Sequence, residues 1–153
     1  MNPIQIEYAS LTDLETLVPL FDAYRIFYEQ PSNPEGARAY LGDRLGLRES
    51  VILLAWRAEQ CVGFVQLYPG FSSIDMRRQW TLEDLFVVES SRQAGVARTL
   101  MDAARRHAEQ TGAVRLTLAT TRTNRKAQAL YETLEYSLDD EYLVYTLDLC
   151  RGD

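Results

Sequence analysis

The chain contains few of the residues on which disulfide, zinc and membrane proteins depend. Its 153 residues include two cysteines, Cys61 and Cys150, and one histidine, His107. Two distant cysteines form neither a disulfide framework nor the clustered ligands of a zinc site. No apolar run approaches the roughly 20 residues of a membrane-spanning helix, and residues 1–10 lack the basic and apolar regions of a signal peptide. We therefore expect a cytoplasmic protein without a metal site, in which His107 is an exposed surface residue.

The charge balance argues against nucleic acid as a partner. The chain has 16 basic and 22 acidic residues, a formal net charge of −6 and a pI of about 4.9. Binding to phosphate backbones needs clustered Lys and Arg. An acidic surface would instead concentrate cationic amines, although the charge alone does not identify a substrate.

The spacing of apolar residues predicts an α/β fold. Alternation predicts strands, and apolar residues at helical spacing predict helices. In chain order these are a strand at 4–8, helices at 12–27 and 34–47, strands at 51–58, 61–68 and 80–88, a helix at 94–110, a strand at 114–118, a helix at 124–134 and a closing strand at 142–149. The order βααβββαβαβ contains no linker, so we expect one domain over residues 1–153.

Two local signals refine that prediction. Pro69-Gly70 predicts the end of the third strand, because proline and glycine interrupt sheet pairing. The strand–helix–strand segment from Trp80 to Ala119 predicts two parallel strands joined by a right-handed crossover.

The stretch Leu85–Arg98 is the most informative part of the sequence. A buried strand leads through a short turn to Gly95, at the entrance of a helix. Such an entrance presents free N–H groups and the positive end of the helix dipole, which favours anions. Arg92 and Arg98 can add contacts to phosphate oxygens. The spacing matches neither the dinucleotide fingerprint nor the P-loop, and a tight turn that binds nothing has the same local pattern.

Three motifs together resemble the GNAT superfamily of N-acetyltransferases. The segment 92–97 (RQAGVA) is similar to that family's (Q/R)-x-x-G-x-(G/A) loop. The segments 82–88 (LEDLFVV) and 124–136 (NRKAQALYETLEY) resemble its preceding strand and its later helix. The strand also resembles the spermidine/spermine N-acetyltransferase subgroup, and the LYP-x-FSS loop at 67–73 resembles a bacterial acetyltransferase group. The family fold is a mixed, mostly antiparallel sheet with a splayed parallel strand pair and helices on both faces.

The resemblance implies a site for acetyl-CoA. Backbone groups of three strand residues would pair with the pantetheine arm, the loop amides would hold the pyrophosphate, and the later helix would approach the reactive end. The implied cofactor-binding residues are Leu85, Phe86, Val87, Arg92, Gln93, Ala94, Gly95, Val96, Ala97, Arg98, Asn124, Lys126, Ala127 and Tyr131.

The chemistry of amine acetylation needs a base and an acid. An alkylammonium with a pKa of ~10.4 must lose a proton before it can attack a thioester. Glu83 or Asp84 can accept that proton; we favour Glu83 from its match to the polyamine subgroup, and strand alternation predicts that only one of the two reaches the substrate. A backbone N–H near Phe86 can stabilise the oxyanion, and the Tyr131 phenol can protonate the leaving thiolate.

Each of these residues also has a purely structural interpretation. Glu83 and Asp84 can be solvated carboxylates, Tyr131 can be a packed aromatic residue, and Asn124 can cap its helix. Glu135 stands where the family usually has a glycine at a helix end, so the backbone there should be strained or altered.

The acceptor is the least determined part of the prediction. The candidates that line its pocket are Tyr24, Tyr28, Glu29 and Tyr68, because aromatic faces and a carboxylate suit an ammonium group. We expect a primary amine, such as a polyamine or another small cationic amine, and a homodimer. The rival functions are a non-catalytic acyl-CoA sensor, a protein-lysine acetyltransferase and a nucleotide-dependent transferase.

Overall fold

A five-stranded sheet with strand order β1-β2-β3-β4-β5 organises the first part of the chain. The computed structural model describes residues 2–150, and the chain divides into residues 1–119 and residues 120–153. The elements are β1 (Ile4–Tyr8), α1 (Leu14–Phe27, after a 3-10 turn at Leu11–Asp13), α2 (Pro34–Gly46), β2 (Val51–Arg57), β3 (Gln60–Ser72), β4 (Arg77–Val87), a second 3-10 turn (Glu89–Ser91), α3 (Val96–Gln110), β5 (Leu116–Thr117) and α4 (Arg125–Thr133).

The strand pairing confirms the predicted fold class. The pairs β1–β2, β2–β3 and β3–β4 are antiparallel, whereas β4 and β5 are parallel. The parallel pairing joins only Trp80 to Leu116 and Thr81 to Thr117. Because β4 continues to Val87, its last six residues run on without β5 beside them. This is the splayed parallel pair that the family resemblance implied.

Helices cover both faces of this sheet. Leu17, Phe21 and Leu41 from α1 and α2 pack with Phe64 and Phe86 in one buried cluster. Residues one position along each strand point to the opposite face, where α3 contacts β1, β2, β3 and β4. The sheet is therefore a layer between α1–α2 and α3.

A close approach between two strands requires glycine on the α3 face. A Cβ atom built on Gly63 would lie 2.7 Å from the backbone oxygen of Phe86 and 3.3 Å from a methyl group of Leu100. No side chain fits at that separation without moving β3 away from β4.

The third strand does not end at Pro69-Gly70 as predicted. β3 continues to Ser72, and Pro69 lies opposite Trp80 on β4. The pairing between β2 and β3 reaches only as far as Leu67, so β3 is an edge strand by the time it reaches Pro69. A proline is tolerated there because no strand on the β2 side needs its missing N–H.

The predicted closing strand at 142–149 is absent from the structure. Residues 137–150 form neither a helix nor a strand, and the side chains of Leu143, Val144 and Tyr145 are exposed. Alternating apolar residues suit a strand, but a strand exists only when its backbone pairs with a neighbour. The sequence pattern was present, and the pairing was not.

His107 is not the exposed histidine that the sequence predicted. Its Nδ1 atom lies 2.7 Å from the hydroxyl of Tyr8, and its ring makes an edge contact with Trp80 at 4.8 Å between centroids. Burial is the main reason that its pKa is lowered, and Arg78 lowers it further.

Candidate active site

A β-bulge places the two candidate carboxyls beside each other. Asp84 pairs with Gln66 and Leu82 pairs with Leu67, so Glu83 has no partner on β3. Bulges re-aim side chains and are common beside active sites. The strand alternation expected to separate the carboxyls is therefore interrupted at Glu83.

The charges of both carboxyls affect the pKa of the same two tyrosines, Tyr24 and Tyr68. The charges of Asp84 and Glu83 contribute to the raised pKa of Tyr24 and to the raised pKa of Tyr68, with burial as the larger cause in each. The two acidic groups and the two phenols are therefore electrostatic neighbours on the α1–α2 face of the sheet.

The environments of the two carboxyls differ. Asp84 is 6% exposed, and burial raises its pKa although hydrogen bonds with Gln66 and Tyr24 oppose that rise. Glu83 is exposed, and its pKa is raised by partial desolvation and by the neighbouring charge of Asp84. A carboxyl whose pKa is raised is a better match for proton transfer near neutral pH than an ordinary one.

Aromatic rings pack around Tyr24, whose hydroxyl bonds with the Asp84 carboxyl. The ring of Tyr24 lies 5.0 Å from that of Tyr28, 5.9 Å from Phe64 and 6.3 Å from Phe86, measured between centroids. Tyr24 is half-buried and Tyr28 is exposed. Tyr24, in α1, therefore stands on the sheet face that carries Asp84, and Tyr28, just after α1, packs against it. Glu29 is exposed beyond the end of α1, with a φ of 64°.

Sequence reasoning missed Tyr40. Its hydroxyl forms a short hydrogen bond with that of Tyr68, and Arg44 lies over its ring at 4.6 Å from the centroid. Tyr40 follows buried Ala37 at helical spacing on α2, so the sequence placed it on the inward face of the helix. Nothing local indicated that it would meet Tyr68 on β3.

The open edge of β4 presents backbone groups of alternate residues. The N–H of Val88 donates to Val62, which fixes the direction of the ladder. Phe86 therefore faces β3, and its oxygen lies beside Gly63. Leu85 and Val87 face the side where β5 has ended. Of the three strand residues that the resemblance assigned to the pantetheine arm, Leu85 and Val87 therefore face the open edge and Phe86 does not, and the carbonyl of Val87 already accepts a hydrogen bond from Arg92.

The loop before α3 has the backbone geometry of an anion site. Gln93 and Gly95 both have left-handed conformations, with φ values of 63° and 81°. The space around the missing Cβ of Gly95 is open to 4 Å. At the start of a helix, the N–H groups of residues such as Val96, Ala97 and Arg98 have no carbonyl partner within the helix. These groups and the helix dipole suit a phosphate.

Arg92 has a structural contact that the sequence did not predict. Its Nε donates to the backbone oxygen of Val87 at 2.9 Å, and its guanidinium lies over the rings of Phe27 and Phe86 at 5.5 and 5.6 Å. Arg98 is exposed in the first turn of α3.

The remaining candidates lie on α4 or at its N-cap, in the second part of the chain. The side-chain oxygen of Asn124 accepts a hydrogen bond from the N–H of Ala127 at 3.2 Å, so Asn124 caps the helix. Lys126 is exposed, and Tyr131 is half-buried with its ring 6.1 Å from that of Tyr136. The structural interpretation of Asn124 is therefore confirmed, which leaves its side-chain amide N–H groups as possible donors to a ligand.

Two further properties concern the described residues as a set. Residues 2–150 contain no group of three or more His, Cys, Asp or Glu side chains placed to hold a metal ion. None of the helices in that range combines the length and the apolar character needed to cross a bilayer.

The family model and a similar protein of known sequence agree on one family. The sequence profile of the Acetyltransferase (GNAT) family matches residues 17–136. The chain is 44% identical over 146 residues to the uncharacterized N-acetyltransferase YhfO of Bacillus subtilis, which covers 95% of this chain and 98% of that protein.

Solved structures agree with that match. The crystal structure of a probable acetyltransferase is 41% identical and covers 97% of this chain and 99% of its own, with a TM-score of 0.92. The aminoglycoside N-acetyltransferase AAC(6')-Iy in complex with CoA shares the fold at 21% identity, covering 98% of this chain and 97% of its own, with a TM-score of 0.79. The chain therefore belongs to the GNAT family of acetyltransferases, and its enzyme class is acetyl-CoA-dependent N-acetyltransferase.

Proposed function

We propose that the enzyme acetylates a primary amine of a small cationic compound, a polyamine or a similar amine, by direct attack on acetyl-CoA. The observation that carries the proposal is the bulge at Glu83, next to Asp84 on β4, where the Asp84 carboxyl bonds with Tyr24 and the charges of both carboxyls help to raise the pKa of Tyr24 and Tyr68. Aromatic rings and carboxylates are the groups that bind an ammonium ion. One of the same carboxylates then accepts its proton.

The reaction needs no protein nucleophile. A carboxylate of the pair takes a proton from the ammonium, and the freed amine attacks the thioester carbonyl carbon. A C–N bond forms, the C–S bond breaks, and the thiolate leaves with a proton from Tyr131. The attacking nitrogen then carries one proton more than the amide needs, and it releases that proton through water to the Tyr131 phenolate, which restores the phenol. A backbone N–H on the open edge of β4 stabilises the oxyanion.

The cofactor would lie along the open edge of β4. Leu85 faces that edge, and so does Val87, whose carbonyl already accepts a hydrogen bond from Arg92. The N-terminus of α3 follows nine residues after Val87 in the chain. An extended amide chain can add to such an edge as a strand would. Its pyrophosphate would then bind the N–H groups at the start of α3.

The test is thiol release from acetyl-CoA in the presence of a panel of amines. We expect amine-dependent release from the native enzyme, and a fall of about 10²-fold in kcat for Tyr131→Phe because general-acid catalysis contributes about that much. Tyr8→Phe, which changes an exposed tyrosine of β1 outside both the site and the proposed dimer surface, is the matched control. Tight acetyl-CoA binding without release, over small amines and lysine peptides alike, would instead identify a sensor.

We also propose that the enzyme is a cytoplasmic homodimer. The exposed apolar side chains of residues 138–149 are the surface that a second copy would cover. Cys61 is a free buried thiol and Cys150 a free exposed one, which suits a reducing compartment. Light scattering measures the mass in solution, and a monomer at micromolar concentration would contradict the dimer.

A further inference from the structure

A buried chain of hydrogen bonds leads to Asp84 from the opposite side of β3. The hydroxyl of Ser50 donates to Oε1 of Gln66 at 2.8 Å, and Nε2 of Gln66 donates to Oδ2 of Asp84 at 2.5 Å. Ser50 is 9% exposed, Gln66 is 0% exposed and Asp84 is 6% exposed. A glutamine costs free energy when it is buried in a sheet unless its amide finds partners, and here both ends have one.

This series of hydrogen bonds has a definite donor-to-acceptor direction, from Ser50 to Asp84. An ionised carboxylate can only accept hydrogen bonds, so Gln66 must present its amide nitrogen to Asp84. Its oxygen then faces Ser50, whose hydroxyl must donate. Ser50 therefore supplies the donor that the Gln66 oxygen needs when the amide nitrogen faces the charged form of Asp84.

The position of Gln66 links this series of hydrogen bonds to the bulge. Gln66 lies directly opposite Asp84 on β3, and the register shift that frees Glu83 occurs between Gln66 and Leu67. The contact with Gln66 therefore fixes the carboxyl of Asp84 at the point where the strand becomes irregular. Tyr24 contacts the same carboxyl from α1.

We propose that Gln66 and Ser50 are positioning residues that hold Asp84 as the proton acceptor for the amine. The inference rests on the proposed function and selects Asp84 over Glu83 for the proton transfer. The ammonium gives one proton to the Asp84 carboxylate, its nitrogen keeps the lone pair for attack, and the proton passes to water after the product leaves. The titratable groups around Asp84 are Glu83 on β4, Tyr24 on α1 and Tyr68 on β3.

The experiment is the pH profile of kcat/KM for an amine that the native enzyme acetylates. Gln66→Met keeps a similar shape and removes the N–H that favours ionised Asp84. We expect its acidic limb to move to higher pH by about one unit, the effect of one lost hydrogen bond to a charged group. The KM for acetyl-CoA should stay within about twofold of the native value.

Two Ser50 variants test the same inference with smaller changes to the buried side chains. Ser50→Ala removes the hydrogen-bond donor to the Gln66 oxygen and so weakens the hold on Gln66, and we expect a shift in the same direction but smaller. Ser50→Thr keeps a hydroxyl and should restore the native profile. These variants keep the inference testable if Gln66→Met does not fold.

A matched control separates positioning from general stability. Ser32 donates to the buried carboxylate of Asp22 at 2.7 Å, in the segment between α1 and α2. Ser32→Ala removes one hydrogen bond to a buried carboxylate away from Asp84, so it should lower the melting temperature without moving the pH profile.

The outcomes distinguish this inference from the proposed function. An unchanged acidic limb of the kcat/KM profile in both Gln66→Met and Ser50→Ala would show that these hydrogen bonds are only structural. A native-like rate for Asp84→Asn together with a collapse for Glu83→Gln would assign the base to Glu83 and overturn the inference, while acetyl transfer itself stands. Failure of the native enzyme to release thiol with any amine would overturn the proposed function instead.

Discussion

At the scale of single residues, Glu135 holds a backbone conformation that usually belongs to glycine. Its φ is 72°, and the N–H groups of Glu135 and Tyr136 bond to the carbonyls of Glu132 and Tyr131. This is the Schellman arrangement that ends many helices with a left-handed residue. The contact between the rings of Tyr131 and Tyr136 accompanies it. Glu135 therefore keeps the family's turn and bears its conformational cost.

Glu135→Gly should increase the stability of the fold. Removing the Cβ relieves the left-handed strain, so we expect the free energy of unfolding to rise by about 1 kcal/mol. Thermal or urea unfolding measures this change. Glu132→Gly, on the preceding helical turn, is the control and should lower stability by about 1 kcal/mol. An equal loss in both variants would show that the turn carries no strain.

At the scale of elements, the contact between β3 and β4 depends on Gly63. Gly63→Ala would place a methyl group 2.7 Å from the oxygen of Phe86. We expect the free energy of unfolding to fall by about 1–3 kcal/mol, the usual cost of overpacking. Gly46→Ala, at the end of α2 with open space around it, should be neutral or stabilising. Urea unfolding measures the free energy of unfolding of both variants. An unchanged value for Gly63→Ala would mean that β3 and β4 can move apart to accept the methyl group at no cost.

The cap of α4 allows the two roles of Asn124 to be separated. Asn124→Asp keeps a capping oxygen and loses the amide donor, whereas Asn124→Ala loses both. We expect Asn124→Ala to lower stability by about 1 kcal/mol and Asn124→Asp to leave it nearly unchanged. If the amide also contacts the cofactor, both variants raise the KM for acetyl-CoA. A native KM in Asn124→Asp would show that Asn124 is only a cap.

At the scale of the whole molecule, the one histidine gives stability a defined pH dependence. Burial lowers the pKa of His107 in the fold, so the unfolded chain binds this proton more readily. Stability from this group is therefore present above the unfolded pKa of ~6.5 and is lost as the pH falls through it.

His107→Gln tests this dependence directly. The native protein should lose more stability between pH 8 and pH 5 than the variant does, as measured by urea unfolding at each pH. Carboxylates titrate in both proteins, so the difference between them isolates His107. If the free energy of unfolding depends on pH in the same way in both proteins, the pKa of His107 is the same in the folded and the unfolded state.

Features of the site that follow local rules could be predicted from the sequence. Gly95 and Asn124 sit at helix starts, and the glycine-containing loop, the carboxyl pair and the α4 helix were all recognisable from short motifs. The helices α2 and α3 and the hairpin of β2 and β3 follow from apolar spacing and turn residues. Each of these signals acts within a few positions along the chain, where a sequence can be interpreted without knowing its fold.

The features that were missed depend on contacts between distant positions. Tyr40 meets Tyr68 across 28 residues, and Gln66 meets Ser50 and Asp84 across 16 and 18. The bulge at Glu83 is a matter of register between two strands. The closing segment shows the opposite case, because its alternating pattern found no strand to pair with. Only the folded chain decides which strands are neighbours and in which register.

The sequence by itself determined the family, the charge, the caps and the residue types on which the proposed mechanism depends. The tertiary structure decided which carboxyl is buried, which backbone groups of β4 face the open edge and which polar side chains bond with Asp84. Local preferences are fixed by a residue and its close neighbours in the chain. Burial, and with it the direction of a pKa shift, is fixed by what packs around a group after folding.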